Sequence, residues 1–259
     1  MFDLAVLGNV THDVIEGSDR LGGAVSYVSL AATRLGMTAS LVTAAPADFD
    51  LMEPLRRVPG LAVEQQPADA ATSFTLDYSG PVRRVRLLER GSMIVRPVSS
   101  APFVFLGPVM GEVPIEALGW FPGSRIVVGL QGWMRATDAE GYVTAAEPPP
   151  PEVLAAATAV VFSEHDHPRA DELARALATR VPIVVVTRAA QGATLFDGGK
   201  PLHVPAAAAI EREPTGAGDV FGAALTVALW RGASPVDAAT QAAYAAARAV
   251  EGPGLGNLR

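Results

Sequence analysis

Residues 212–225 read REPTGAGDVFGAAL, and the chemistry of this chain starts there. Gly216, Ala217 and Gly218 stand directly before Asp219, and Val220, Phe221, Ala224, Leu225, Ala228 and Leu229 then recur at helical spacing. The stretch reads as a tight loop emptying into a buried helix. A glycine-rich helix start leaves backbone N–H groups unpaired and sets the positive end of the helix dipole beside them. The ligand that suits such a place is an anion, phosphate above all. Asp219 is then conspicuous, because a carboxylate beside a phosphate site repels its ligand unless the reaction uses it.

Other polar clusters follow apolar runs. GNVTHD (8–13) comes after LAVLG (4–8), SEHD (163–166) after TAVVFS (158–163), and TRAAQG (187–192) after PIVVVT (182–187). With ASLVTA (39–44), FVFLG (103–107) and RIVVGL (125–130), these runs read as buried strands, several of them parallel. Residues 22–35, 48–57, 169–179, 216–231 and 235–250 carry helical periodicity between them. Alternating strand and helix predicts an α/β fold, a three-layer αβα domain with a central, mostly parallel sheet. Ligands in such folds sit beyond the carboxyl ends of the strands, where the polar clusters fall.

Residues 72–90 break the rhythm. Phe74, Leu76 and Tyr78 alternate with polar neighbours, a Ser-Gly-Pro turn follows, and Val85 and Leu87 continue the alternation. This is a β-hairpin, expected to project from the main sheet as a small flap. EPPPPE (147–152) is a stiff connector before a helix and does not divide the chain. The hairpin arginines Arg83, Arg84, Arg86 and Arg90 have two readings, steering of an anionic co-substrate or protection of an exposed strand edge, and the second is favoured.

Composition removes whole classes. The chain has 259 residues, 49% hydrophobic and 18% charged, enough to bury a large core. A net charge of −7 without a basic tail argues against nucleic acid as a partner. Cysteine is absent, which excludes thiolate catalysis and Cys-based zinc sites. The opening MFDLAVLGNV reads as a first strand, not a signal peptide, and no run approaches the ~20 apolar residues of a membrane span. A cytoplasmic protein is expected. Lys200, the sole lysine, sits in GGKPL, so neither a Walker-type loop nor a strand lysine on the phosphates is possible. If the chain handles a nucleotide phosphate, its loop must do so through backbone amides.

The chain resembles the PfkB, or ribokinase-like, family of small-molecule kinases. TGAGD (215–219) before an apolar helix is similar to the family's C-terminal signature, and GGAVSYVSLAATRLG (22–36) to its N-terminal one. GNVTHD keeps the family's spacing from glycine to aspartate, and VVVTRAAQGATLF (184–196) resembles its nucleotide-side strand and turn. The resemblance implies one kinase domain over residues 1–259, with a minimal lid from about 9–21 and 72–90. It also implies ATP and Mg²⁺, a polyol acceptor, no nucleic-acid or membrane partner, and a monomer or homodimer.

The resemblance assigns roles residue by residue. Asp219 becomes the base that accepts the acceptor's proton. The amides of Gly216, Ala217 and Gly218 become an anion hole for the transferred group. Asp13 matches the carboxylate that holds substrate hydroxyls, since it accepts two hydrogen bonds from vicinal OH groups. Gly22 and Gly23 let backbone approach the substrate. Thr187, Gly192 and Thr215 are expected at the nucleotide, and Asp166 and Glu164 at Mg²⁺ through water. HDH (165–167) reads as a solvated loop rather than a transition-metal site.

Departures point to the substrate. Tyr27 stands where ribokinase-type sugar kinases often have Asn, and resembles subgroups acting on inositols or nucleosides. SEHD lacks the family's Asn, and Glu213-Pro214 replaces the usual Asp-Thr. GLQGWMR (129–135) together with the hairpin resembles inositol-kinase-like members more than fructokinases or ribokinases. Gln131 and Arg135 are candidates for substrate or phosphate contacts, with core and surface roles the equal alternative. The expected reaction is transfer of the γ-phosphoryl group of ATP to a hydroxyl of a cyclitol or sugar, with Tyr27 and Phe74 covering the ring's apolar faces. A nucleoside kinase of the same fold and a catalytically silent ligand-binding homologue are the alternatives.

Overall fold

The structure, a computed structural model, describes residues 1–78, 84–98 and 100–252. The chain opens with β1 (Leu4–Leu7), β2 (Thr11–Ile15), β3 (Ser18–Gly22), α1 (Ala24–Arg34) and β4 (Ala39–Ala45). A 3₁₀ turn at Asp50–Met52 runs into the single-turn α2 (Glu53–Arg56), followed by β5 (Leu61–Pro67), β6 (Thr72–Asp77), β7 (Arg84–Glu89) and β8 (Phe103–Leu106). Next come β9 (Arg125–Gly129), β10 (Arg135–Thr137), β11 (Val143–Ala145), α3 (Pro151–Leu154), β12 (Ala159–Ser163) and α4 (Ala170–Leu177). The last elements are β13 (Ile183–Thr187), β14 (Ala193–Asp197), β15 (Lys200–Val204), α5 (Ala217–Trp230) and α6 (Pro235–Ala249).

A nine-stranded sheet in the order β15-β14-β13-β12-β9-β8-β1-β4-β5 forms the centre. Every neighbouring pair from β13 to β5 is parallel, and β14 and β15 add an antiparallel edge. The strands bury both faces by alternation. Leu4 and Val6 of β1, with Ile183 and Val185 of β13, pack towards α1, α5 and α6. Ala5, Leu7, Val184 and Val186 pack into a second cluster with Leu154, Ala174 and Leu177 of α3 and α4. Helices therefore cover both faces of a mostly parallel sheet, as the alternation of patterns requires.

The strand order reverses between β1 and β8, since β1 leads through β4 to β5 while β8 leads through β9 to β12 and β13. Such a reversal opens a crevice at the strands' carboxyl ends. The backbones there are in close contact: Gly107 N–H donates to Leu7 O at 2.8 Å, and a Cβ on Gly8 would stand 2.3 Å from Gly107 O. Glycine at position 8 is a packing requirement.

A second sheet of four strands, β3-β2-β6-β7, stands over this end. Its strands come from both segments expected to contribute a lid. Thr11–Ile15, expected from sequence only as part of a lid, is a strand, because it pairs in parallel with Thr72–Leu76 some sixty residues later. The hairpin of 72–90 forms β6 and β7; its Ser-Gly-Pro turn and Arg83 lie outside the described residues. Phe74 and Leu76 are buried against Val109 and Met110. Phe74 is thus occupied in joining the small sheet to the large one, not in covering a ligand. The other hairpin arginines have structural partners: Arg84 stacks 3.9 Å from the Tyr142 ring centroid, Arg86 donates to Glu140 O and Arg90 to Met110 O. Among the described residues no helix is long and apolar enough to cross a membrane.

Candidate active site

The start of α5 is built as its glycines suggest. Gly216 caps the helix in the left-handed conformation, φ 83° and ψ −3°. A Cβ at this position would also meet Cδ1 and Cε1 of Tyr27 at 2.2 Å, so the tyrosine ring lies flush on the loop. Ala217 N–H donates to Pro214 O at 3.2 Å, closing the turn. Of the three amides expected in the anion hole, Ala217's is therefore used by the turn. Among the described residues no acceptor is found for the amides of Gly216 and Gly218. Asp219, in the first turn, is half-buried.

Tyr27 marks where the pieces meet. Its side chain is buried, and burial first, then the charges of Asp219, Asp13, Glu213 and Tyr78, push its phenol far above the ordinary tyrosine range. Asp13 comes from β2, with Thr11 Oγ1 donating to its Oδ1 at 2.7 Å. Its carboxylate lies against Gly22, where a Cβ would stand 2.0 Å from Oδ2. Gly23 caps α1, and a Cβ there would strike Asn9 O at 2.6 Å. The paired glycines thus let β3 turn into α1 directly beneath Asp13.

Asp13, Tyr27, Arg20, Glu213 and Thr215 share the wall of a cavity of about 710 Å³, within the roughly 300–1,000 Å³ usual for small-molecule sites. Thr215, expected at the nucleotide, lines this cavity. Its hydroxyl donates to Glu213 Oε1 at 2.6 Å and lies 3.1 Å from Tyr78 Oη, just past β6. Arg20 of β3 approaches Glu213 Oε2 at 3.9 Å. Two strands of the small sheet are therefore tied to the segment preceding the glycine loop.

The remaining candidates fall along the ends of β9, β12 and β13. Asp166 accepts from Ser163 N–H at 2.7 Å and from the Gln131 amide at 2.8 Å. Glu164 pairs with Arg188 at 3.2 Å, and Arg188 also binds Asp171 and Thr194. The hydrogen bond to Asp171 is the main reason the Arg188 guanidinium is held above its ordinary pKa. Among the described residues no three His, Asp or Glu side chains gather as a metal site. The two carboxylates keep unused lone pairs, which suits a magnesium that keeps its water and arrives on phosphates. Arg135 donates to Val109 O at 3.1 Å, and Trp133 is half-buried with its indole N–H on Val113 O. Thr187 ends β13, and Gly192 packs on the next segment, where a Cβ would stand 2.1 Å from Val204 O.

One residue escaped the sequence reading. Glu112 is 3% exposed, and its carboxylate accepts from the backbone N–H groups of Asn9, Val109 and Met110 at 2.9, 3.0 and 2.8 Å. It fastens the segment after β1 to the one after β8 across the switch point. The available signal was an acid inside the otherwise apolar run FLGPVMGEVPI.

Residues 155–258 match the pfkB family carbohydrate kinases. An inositol 3-kinase of Zea mays is 28% identical over 281 residues, covering 96% of this chain and 72% of the relative. A pyrophosphate-dependent kinase in the ribokinase family, solved with a pyrophosphate analog and myo-inositol, superposes with a TM-score of 0.83 at 18% identity, over 97% of this chain and 96% of that one. Arabidopsis thaliana ribokinase complexed with ribose and ATP gives 0.73 at 19% identity, over 99% and 95%. The glycine-capped helix with its aspartate falls within residues 155–258 and accords with their likeness to the pfkB family carbohydrate kinases.

Proposed function

We propose that the protein transfers the γ-phosphoryl group of ATP to a hydroxyl of a cyclitol. The supporting observation is the gathering of Asp13, Asp219 and the glycine start of α5 around Tyr27, at a cavity of small-molecule size. Asp13 accepts hydrogen bonds from neighbouring ring hydroxyls and turns one of them towards Asp219. Asp219 takes the proton from that hydroxyl as its oxygen bonds to the γ-phosphorus. The bond from the γ-phosphorus to the bridging oxygen breaks, and ADP leaves with that electron pair. The amides at the start of α5 and the helix dipole stabilise the charge on the transferred group without a lysine. Asp166 and Glu164 would hold Mg²⁺ through water, where it neutralises phosphate charge. Tyr27, kept neutral by its surroundings, adds no charge and offers a flat apolar surface to a ring.

A second donor has a specific observation behind it. The relative solved with myo-inositol is pyrophosphate-dependent and superposes at a TM-score of 0.83, against 0.73 for the ribokinase solved with ATP. A site that grips only the phosphate end would take either donor. The test is product release from purified protein and Mg²⁺ with a panel of cyclitols, sugars and nucleosides. ADP formed with a cyclitol supports the reading. Turnover with pyrophosphate and none with ATP replaces the donor, and a nucleoside preferred at least tenfold replaces the acceptor.

A further inference from the structure

We propose that the acceptor site continues along α1 as an apolar trough, and that the acceptor is a hydroxylated ring carrying an apolar substituent that ends in an anion. This rests on the acceptor reading above and extends it. The cavity that begins at Asp13 and Tyr27 runs past Leu30, Leu51 and Val58 to Arg34 and Arg57. Tyr27, Leu30 and Arg34 fall at i, i+3 and i+7, one face of α1. Seven residues of helix rise about 10 Å, so the trough extends well beyond a single ring seated at Asp13. The opposite wall comes from α2 and the residues flanking it.

Chemistry is divided along this length. The acids that line the cavity, Asp13 and Glu213, both stand at the ring end, where Glu213 also meets Arg20. The middle is mainly apolar, and the hydroxyl of Thr33 there is turned back on the carbonyls of Ser29 and Leu30, so this stretch favours an alkyl group that displaces water over a bare polyol. At the far end Arg34 has no acidic partner among the described residues, and burial lowers its pKa, so an anion there would meet an uncompensated cation. Arg57 is largely exposed, and among the described residues its acidic partner is Glu53 at 3.8 Å. A pair of guanidinium groups fits a carboxylate or a phosphate through paired N–H donors.

The experiment compares four acceptors on the full chain: myo-inositol, its alkyl ether, and the same ether ending in a carboxylate or in a phosphate. Calorimetric affinity is measured on the Asp219→Asn variant and kcat/KM on the wild type, so binding in the trough is read apart from turnover. The ether is expected to bind roughly fourfold tighter per methylene buried. The terminal anion should add about fivefold, and the better of the two anions identifies the group. In an Arg34→Ala/Arg57→Ala variant the ratio of anion-ended to neutral ether should fall to about one; because it is a ratio within one protein, it is insensitive to a general loss of activity. Equal affinity for myo-inositol and every ether overturns the trough, as does an anion advantage that survives loss of both arginines. Tight binding of the ethers without turnover of any of them counts for the trough and against the kinase assignment of the acceptor.

Discussion

Gly216→Ala tests whether the helix start and Tyr27 form one unit. The new methyl group would meet two ring carbons of Tyr27 at 2.2 Å, where carbon contacts settle near ~3.5–4.0 Å. Ring or loop must therefore move by more than ~1 Å. The backbone adds its own cost, since an L-residue at φ 83° loses about 1–2 kcal/mol. Over-packing of a buried contact costs about 1–3 kcal/mol more. A total near 3 kcal/mol lowers the melting temperature by roughly 6 °C in a chain of this size. Misplacing catalytic groups by ~1 Å costs on the order of 10²-fold in rate. Scanning calorimetry and kcat with saturating acceptor measure both. Gly218→Ala is the control, because a Cβ there meets nothing within 4 Å and replaces a helical glycine, worth about 0.5–1 kcal/mol of added stability. In a Tyr27→Ala background the steric part should vanish and only the backbone cost remain. An unchanged melting temperature in Gly216→Ala, or the same cost with and without the Tyr27 ring, refutes the reasoning.

Asp219→Asn is expected to lower kcat by roughly 10²–10⁴-fold with acceptor affinity nearly unchanged, and near-normal turnover removes the base assignment. Asp13→Ala should raise the KM of the acceptor and leave that of the donor in place; equal losses in calorimetry for both ligands would mean a folding role. Tyr27 has a folded-state pKa raised above its unfolded value, so its contribution is intact below about pH 10 and is lost as pH climbs further, because the unfolded chain releases this proton first. Denaturant titrations should show a steeper alkaline loss of stability in the wild type than in Tyr27→Phe, and parallel curves would contradict the burial argument. Glu112→Ala leaves three buried amides without an acceptor, at about 1–3 kcal/mol each, and thermal unfolding should show a loss of several kcal/mol.

What the sequence disclosed depended on range. The buried strands at 4–8, 103–107 and 182–187 and the helices at 216–231 and 235–250 are set by local apolar patterns, and the structure places elements there. The segment 48–57 is weaker: a helical pattern is there, but Pro54 and the turn at Val58–Leu61 leave a 3₁₀ turn and a single helical turn. Thr11–Ile15 is polar at three of its five positions and gains its strand character from β6, a partner no local window contains. Asp219 was conspicuous in the sequence because glycines on one side and an apolar helix on the other leave few reasons for an acid, and the structure sets it in the first turn of α5. Glu112 was not, since an acid beside Gly111 reads as an ordinary turn residue until three amides are seen to converge on it. Phe74 misled for the opposite reason. An aromatic on a flap looks available for a ligand, but the small sheet needs an apolar face of its own against Val109 and Met110.

The departure at Glu213 gains a meaning from its neighbours. Its carboxylate holds Thr215 through both N–H and hydroxyl and faces Arg20 of β3, while Thr215 reaches Tyr78 beyond β6. The next residue is Gly216, pressed on Tyr27 of α1. Residues 20–27 and Tyr78, both remote from it in sequence, therefore converge on the segment preceding the helix start. A carboxylate at 213 reaches both the turn and the small sheet, which a short uncharged side chain would not do. On the proposed reaction the acceptor's seat against Tyr27 and the amides that receive the phosphoryl group then share one support, the segment 213–216, which Glu213 pins to the small sheet and Gly216 presses on Tyr27. The phosphate end of the site is organised by backbone and small-sheet contacts rather than by a lysine.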